Sequence, residues 1–280
     1  METPVFSIGA YISFLVDWLN VNAGLPFELL SRTMEGAVKF LETLLLWPHA
    51  FAVMALFSLL AWRITGLRTG SITFFGLLFC FAMDLWKATM LTTALVAVST
   101  TAALMVAIPL GIWSAINPTV DRVTRPVMDL MQTLPPWVYL IPAVILFSLG
   151  RAPAVIATAV FAIPPALRLT ALGIRGVPAE QLEVGKAFGA APSQLIWKIQ
   201  IPAAMPSIMA GVNQCIMMSL AMVVLAGLIG AGGLGGEVVQ GLTRMMIGVG
   251  VRSGLAIVIL AIIFDRITQG LVTRTDPAAT

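Results

Sequence analysis

Uninterrupted apolar runs, separated by short polar connectors, make up most of this chain. Residues 88–116 and 199–236 contain no Asp, Glu, Lys or Arg at all. A hydrocarbon layer about 30 Å thick is crossed by roughly 20 mostly apolar helical residues, and several runs meet that length. The pattern predicts seven spans, over residues 44–62, 70–86, 88–116, 130–149, 153–167, 206–229 and 253–269. Residues 15–42, ahead of them, read differently. There Phe27, Leu29, Leu30, Met34, Val38 and Leu41 recur at spacings near three and four, interleaved with Glu28, Arg32, Glu35 and Lys39. That spacing predicts an amphipathic helix lying on the membrane surface or against the protein. The expected fold class is therefore all-α, a polytopic membrane helix bundle with about seven transmembrane helices and an N-terminal amphipathic helix.

Composition points to the same solvent. Of the 280 residues, 59% are hydrophobic and 10% charged, with a mean hydropathy of +0.98; soluble domains carry about 25% charged residues. The net charge of +3 is scattered between apolar runs, which leaves nucleic acid no electrostatic footprint. Cys80 and Cys215 sit inside apolar runs without a partner at metal or redox spacing and read as packing residues. His49, beside Pro48 at a predicted helix end, has no nucleophile or metal ligand for company and reads as an interfacial residue. Residues 1–10 carry Glu2 and no basic cluster, so the layout of a cleaved signal peptide is missing and the segment is expected to be retained.

Basic residues in short loops favour the cytoplasm. One orientation puts Arg63, Arg68, Arg122, Arg125, Arg168, Arg175, Lys186, Lys198, Arg266 and Arg274 inside, ten of the 16 basic residues. It predicts an outside amino terminus and a cytoplasmic carboxyl terminus. Residues 170–205 then form the longest polar stretch after the first span, a natural docking surface on the cytoplasmic side. Within it, Pro178 can open a helix, Glu180 and Glu183 suit the positive end of its dipole, and Gly189 with Pro192 would stop it. Ser193 could cap a second helix before Pro202 interrupts. The expectation is a short helix, a tight glycine turn and another helix.

Glu183, Gly189, Ile199, Ile201 and Pro202 in this loop resemble the cytoplasmic signature of binding-protein-dependent permeases of the ATP-binding cassette importers. That signature has Glu-Ala-Ala, a Gly after three further residues, and an Ile-x-Leu-Pro ending. Val184 and Gly185 stand here for the two alanines and Ile201 for the leucine, and Gly185 would weaken the helix by about 1 kcal/mol relative to alanine. The resemblance implies that the loop carries coupling helices seated in a cleft of the ATPase subunit. By that reading Glu183, Val184, Gly185, Lys186, Ala187, Phe188 and Gly189, with Pro202 closing the motif, make the contact.

Three further stretches, from Met131 (MQTLPPWVYLIPAV), Phe161 (FAIPPALRLT) and Ala210 (AGVNQCIMMSLAMVV), resemble the glycine betaine, proline betaine and choline branch of these permeases. IGAGGLG from Ile229 continues the likeness, which covers roughly residues 88–270. Pro135, Pro136, Pro142, Pro164 and Pro165 are expected to interrupt helical hydrogen bonding and, as a group, to border a cavity. Trp137 and Tyr139 offer aromatic faces to a quaternary ammonium ion, worth about 0.5–2 kcal/mol, although interfacial anchoring or packing is the better reading of them. Asn213 and Gln214, polar groups within a span, can touch solute, but a hydrogen bond to a neighbouring helix is the preferred reading. Asp265 and Arg266 interrupt the last apolar run and are expected at an interface or in a salt bridge.

The resemblance divides the chain into an N-terminal amphipathic segment (1–43), peripheral transmembrane helices (44–87), a permease core (88–272) with its coupling loop (170–205), and a cytoplasmic tail (273–280). It implies a multi-pass protein of the bacterial inner (plasma) membrane, surrounded by lipid. Its expected partners are a cytoplasmic ATP-binding subunit, a periplasmic or lipid-anchored substrate-binding protein, and a second copy of itself in a homodimer. The nearest approach to a phosphate-binding loop is Gly185-Lys186 followed by Ala187, so the chain is expected to bind no cofactor and to leave ATP hydrolysis to its partner. Two alternatives stay open at this point: an importer permease for another small solute such as an amino acid, and an ATP-independent secondary transporter. The latter would call for ion-coupling carboxylates or an inverted repeat.

Overall fold

The computed structural model describes Trp18, Asn22 and residues 24–275, with side chains as far as Leu271. Every regular element among these residues is helical. Helix α1 spans Gly24–Leu46, α2 Ala50–Thr65, α3 Leu67–Ala82, α4 Trp86–Ile116, α5 Pro118–Thr133, α6 Pro136–Phe147 and α7 Arg151–Arg175. Helix α8 covers Ala179–Ala187. Then α9, Pro192–Leu195, runs through a π turn (Ile196–Gln200) into α10, Ile201–Ala226, and a 3₁₀ turn, Gly227–Ile229. Helices α11, Gly233–Thr243, and α12, Ile247–Thr275, complete the fold.

Four helices are by themselves long and apolar enough to cross a membrane: α4, α7, the 38-residue run Pro192–Ile229, and α12. The other expected spans differ from the sequence pattern in instructive ways. Residues 130–149 do not form one helix, because α5 and α6 meet at a 100° bend. Leu134, ahead of Pro135, is held extended at ψ 133°, as the steric clash with a following proline ring demands. Pro164, Pro165 and Pro142, by contrast, lie inside continuous helices, so only the Pro135–Pro136 pair breaks the backbone. The apolar run at 70–86 ends early, at Ala82, and a turn through Asp84 (φ 59°) separates it from α4. A second 100° bend joins α1 to α2.

The amphipathic α1 lies against the protein rather than free of it. Val38 is fully buried, and Met34, Ala37, Leu41 and Leu45 pack with it on the core built by α4, α7 and α10. Residues 15–17, 19–21 and 23 of the predicted amphipathic stretch fall outside the described residues. Arg151 at the start of α7 donates to both carboxylate oxygens of Glu42, at 2.6 and 3.4 Å, fixing α1 to one end of the bundle.

α4, α7 and α10 are the centre. Their facing surfaces are built of small residues, and Gly111 shows why: a Cβ there would lie 2.8 Å from the Leu167 carbonyl oxygen of α7. In a lipid environment such small-residue contacts let backbones approach and maximise dispersion contact. Thr89, Thr92 and Thr93 return their hydroxyls to carbonyls one turn earlier, which keeps a polar helix face compatible with burial. Thr92 also accepts from the Leu234 amide at 2.8 Å, and the Gly150 amide donates to the Ile229 carbonyl at 3.0 Å, so the glycine-rich turn after α10 is pinned to α4 and to the start of α7.

Gly227 in that turn has its Cβ position only 2.4 Å from the carbonyl carbon of Gly235. Backbone, unlike a side-chain tip, cannot swing aside. Gly227→Ala is expected to destabilise the protein by about 1–3 kcal/mol. Gly236→Ala meets nothing within 4 Å and is the neutral control. Thermal unfolding of the detergent-purified variants checks the difference.

Candidate functional site: a polar arm at one rim of the bundle

The 170–205 segment is more helical than its polarity suggests. α7 continues to Arg175, so only Gly176–Pro178 separate it from α8. Pro178 is the N-cap of α8, not its first residue. Glu180 in the first turn and Lys186 in the last both complement the helix dipole. The stop is a Schellman motif: the Ala190 amide donates to the Gly185 carbonyl at 3.0 Å and the Gly189 amide to Lys186 at 2.9 Å. Gly189 takes φ +73°, a conformation that side chains rarely adopt.

The next helix begins earlier than a Ser193 cap would give. Ala191 is its N-cap, Pro192 occupies the first turn, and the Ala191 amide donates to Gln194 Oε1 at 2.9 Å. Pro202 does not end it. The π turn at Ile196–Gln200 widens the coil just where the proline ring would strike the carbonyl four residues back, and the helix runs on.

α8 rests on that turn. Gly185 is buried, and a Cβ on it would come within 2.5 Å of Ile199 Cδ1 and 2.7 Å of Leu195 Cδ2. The outward face is the opposite: Glu183, Lys186 and Ala187 are exposed, Val184 is 57% exposed and Phe188 88%. Val184 and Phe188 flank an open groove of about 510 Å³ with Glu180, Gln181 and Ile199 on its walls. Pro202 lies instead in a neighbouring cleft of about 860 Å³ between the end of α7 and the start of α10.

An ion-pair node that the sequence did not single out braces the arm's root. Arg175 donates to Asp121 at 2.5 Å and to the Ser114 carbonyl at 3.2 Å, while Arg125 contacts the other Asp121 oxygen at 2.8 Å and the Ser114 hydroxyl donates to Asp121 at 2.9 Å. Arg168 pairs with Asp129 at 2.5 Å. The two pairs hold α5 to α7 across a cavity of about 340 Å³. Partial burial raises the Asp121 carboxyl, but its hydrogen bonds from Arg125, Arg175 and Ser114 outweigh that and hold it below the usual carboxylate range. Opposite charges 54 residues apart were visible in the chain; their pairing was not.

The residues singled out for a solute path are engaged separately. Pro135 is the N-cap of α6, and Trp137 is 54% exposed. The Tyr139 hydroxyl donates to the Met131 carbonyl, and its ring meets Phe161 edge-on at 5.7 Å. Asn213 donates to Asp265 Oδ1 at 3.0 Å and accepts from Thr268, while Gln269 donates to Asp265 Oδ2 at 2.7 Å. Asp265 is thus satisfied by amides, not by a salt bridge with Arg266, and Asn213 spends its polarity on joining α10 to α12. Gln214 beside it is exposed. Among the described residues no group of three or more His, Cys, Asp or Glu is placed to hold a metal ion.

A bundle of apolar spans with a polar helical arm at one rim is the architecture of a polytopic membrane protein. Residues 107–280 match the family described as the binding-protein-dependent transport system inner membrane component, and the chain belongs to that family, the permease subunits of ATP-binding cassette importers. It is 40% identical over 264 residues to the glycine betaine/proline betaine transport system permease protein ProW of Escherichia coli, covering 94% of this chain and 75% of that one. To the glycine betaine transport system permease protein OpuAB of Bacillus subtilis it is 40% identical over 268 residues, 96% of this chain and 95% of the relative. To the glycine betaine/carnitine transport permease protein GbuB of Listeria monocytogenes it is 41% identical over 270 residues, 95% of each. The fold is similar to a chain of the MetNI methionine ABC transporter in an inward-facing conformation, with a TM-score of 0.60 at 21% identity over 69% of this chain and 96% of that one.

Two substitutions probe the geometry. Asp121→Asn should lower thermal stability at pH 7. Because the folded carboxyl lies below its unfolded value of about 3.9, that advantage exists above this pH and fades as pH falls through the folded value, so native and variant unfolding temperatures converge in acid. Asn213→Leu leaves Asp265 short of a donor and should cost about 0.6–2 kcal/mol of stability, read by thermal unfolding.

Proposed function

We propose that this permease moves glycine betaine, choline or a related quaternary-ammonium solute across the inner membrane, driven by ATP hydrolysed on a separate subunit. The observation that carries the reading is the identity of 40–41% along 94–96% of the chain to permeases named for glycine betaine. In this reading the chain pairs with a second copy around one path, binds no cofactor of its own, and receives solute from an external binding protein. Its carboxyl terminus and its arm face the cytoplasm, in keeping with the basic residues Arg122, Arg125, Arg168, Arg175, Lys186 and Lys198 near the arm.

The ATPase would grip the outward surface of α8, from Glu183 to Gly189. Exposed Phe188 and Val184 supply the apolar anchor, and Glu183 and Lys186 the polar rim. Movement of the ATPase is then delivered along α7 and along the 38-residue helix from Pro192, since both run from the arm into the core. Trp137, Tyr139, Pro135, Asn213 and Gln214 are retained as the lining of the path in the moving protein, where contacts seen in one conformation are exchanged.

Uptake of labelled glycine betaine and choline into vesicles carrying this chain with its ATPase and binding protein tests the assignment. ATP-dependent accumulation of either solute is expected, and none from an assembled complex sinks the substrate class. Gly189→Val puts a β-branched residue at positive φ, costing about 1–2 kcal/mol locally. It should leave the bundle folded while ATP hydrolysis loses its coupling to uptake, and normal coupled uptake in that variant would count against the docking role.

A further inference from the structure

Helix α1 lies across one end of the bundle. Phe27 near its start meets Phe147 at the end of α6, with ring centroids 5.4 Å apart, and Glu42 near its end accepts the 2.6 Å hydrogen bond from Arg151 at the start of α7. About 22 Å of helix separates Phe27 from Glu42, yet both contacts are made to the one connection between α6 and α7. A helix running along the spans would leave that connection behind within a turn or two. The 100° bend into α2 agrees, because α2 packs along α12: Thr65 lies against Gly270, while Val53 and Met54 cluster with Ala256 and Leu260. α1 therefore runs in the membrane plane, at the level where α7 emerges from the bundle.

Down its axis, at about 100° per residue, α1 has three faces. Met34, Ala37, Val38, Leu41 and Leu45 pack on the bundle. Glu28, Arg32, Glu35 and Lys39 form an exposed charged stripe about 130° from that face. About 130° round the other way, Leu25, Leu29, Phe40 and Leu44 line up with Trp47 just past the helix end, and all five are exposed, from 50% at Leu44 to 85% at Trp47. Thr33 and Gly36 complete this third face, and the Thr33 hydroxyl donates to the Leu29 carbonyl at 2.7 Å, so its one polar side chain is satisfied within the helix. A helix that only braced the bundle needs one apolar face, whereas α1 has two.

We propose that the second apolar face of α1 inserts among lipid chains at the membrane interface, with the charged stripe in the headgroup water. Lipid is the occupant for a geometric reason. A helix in the membrane plane, with one face on the protein and its charges turned to water, has its remaining face toward the hydrocarbon edge of the leaflet. Trp47, at the bend into α2, carries the amphipathic ring that favours this depth. The stripe holds two acids and two bases, so insertion draws on apolar area and owes nothing to attraction by anionic headgroups. The sequence allowed this helix either the membrane or the protein, and the structure gives it both at once. Through Glu42 and Arg151, α1 then holds the end of α7 at the depth of the interface.

The test places nitroxide labels on single cysteines of the full chain in phosphatidylcholine nanodiscs. Leu29→Cys, Phe40→Cys and Leu44→Cys sample the second apolar face, and Glu35→Cys and Lys39→Cys the charged stripe. All five replaced side chains are exposed, and thermal unfolding verifies that each variant keeps the native fold. Cys80 and Cys215 are fully buried, so the native chain carried through the same labelling is the blank. Electron paramagnetic resonance compares collisions with oxygen, which concentrates in hydrocarbon, with collisions with a water-soluble nickel chelate. The first three sites should give oxygen-to-nickel ratios several-fold above the last two, and the same ratios in phosphatidylglycerol. High nickel access at all five sites overturns the proposal in favour of water. Low access to both reagents at Leu29, Phe40 and Leu44 overturns it in favour of a protein cover, such as a second copy of the chain. Lipid contact that forms only in phosphatidylglycerol overturns insertion by apolar area.

Discussion

Backbone amides and carbonyls in hydrocarbon have no water to turn to, and each must find a partner within the protein. That constraint governs where this chain is allowed to bend. Across the centre of the bundle α4, α7 and α10 run without a break, even through Pro109, Pro164, Pro165 and Pro206. The arm before and after α8 lies among charged side chains, where a freed carbonyl can be solvated. The π turn ahead of Pro202 is the same constraint at smaller scale, since a wider coil lets the helix pass a residue that lacks an amide proton.

With the backbone satisfied, helix association depends on fit rather than on escape from water. Gly111 against Leu167 and Gly227 against Gly235 allow contacts that any side chain would prevent. The buried polar side chains among the described residues are all serines and threonines. Thr92 closes a hydrogen bond to its own helix and takes another from Leu234, and Asn213 with Asp265 and Thr268 ties α10 to α12. Such pairs fix the register between helices that dispersion alone would let slide.

Mechanical continuity follows from this arrangement. α8 is short and packs through the buried Gly185 against the half-buried Leu195 and Ile199, in the turns that lead into the long helix. On the other side of the arm, Arg175 joins α7 to α5 and to the end of α4 through Asp121 and Ser114. At the far end of α7, Arg151 and Glu42 lock α1 to that helix.

Composition and apolar run length alone determined that the chain is an all-helical membrane protein, because a low-dielectric solvent admits few other backbones. Local signals also marked the α8 stop: Gly189 at positive φ is a property of one residue and its neighbours. The bends were harder. Pro135 and Pro136 break the helix while Pro164 and Pro165 do not, since close packing of α7 between α4 and α10 decides whether a proline's lost hydrogen bond becomes a kink. Partnerships lay wholly in the tertiary structure. Asp121 with Arg175, Glu42 with Arg151 and Asn213 with Asp265 join residues 54, 109 and 52 positions apart, and a sequence shows which charges exist but not which surfaces meet.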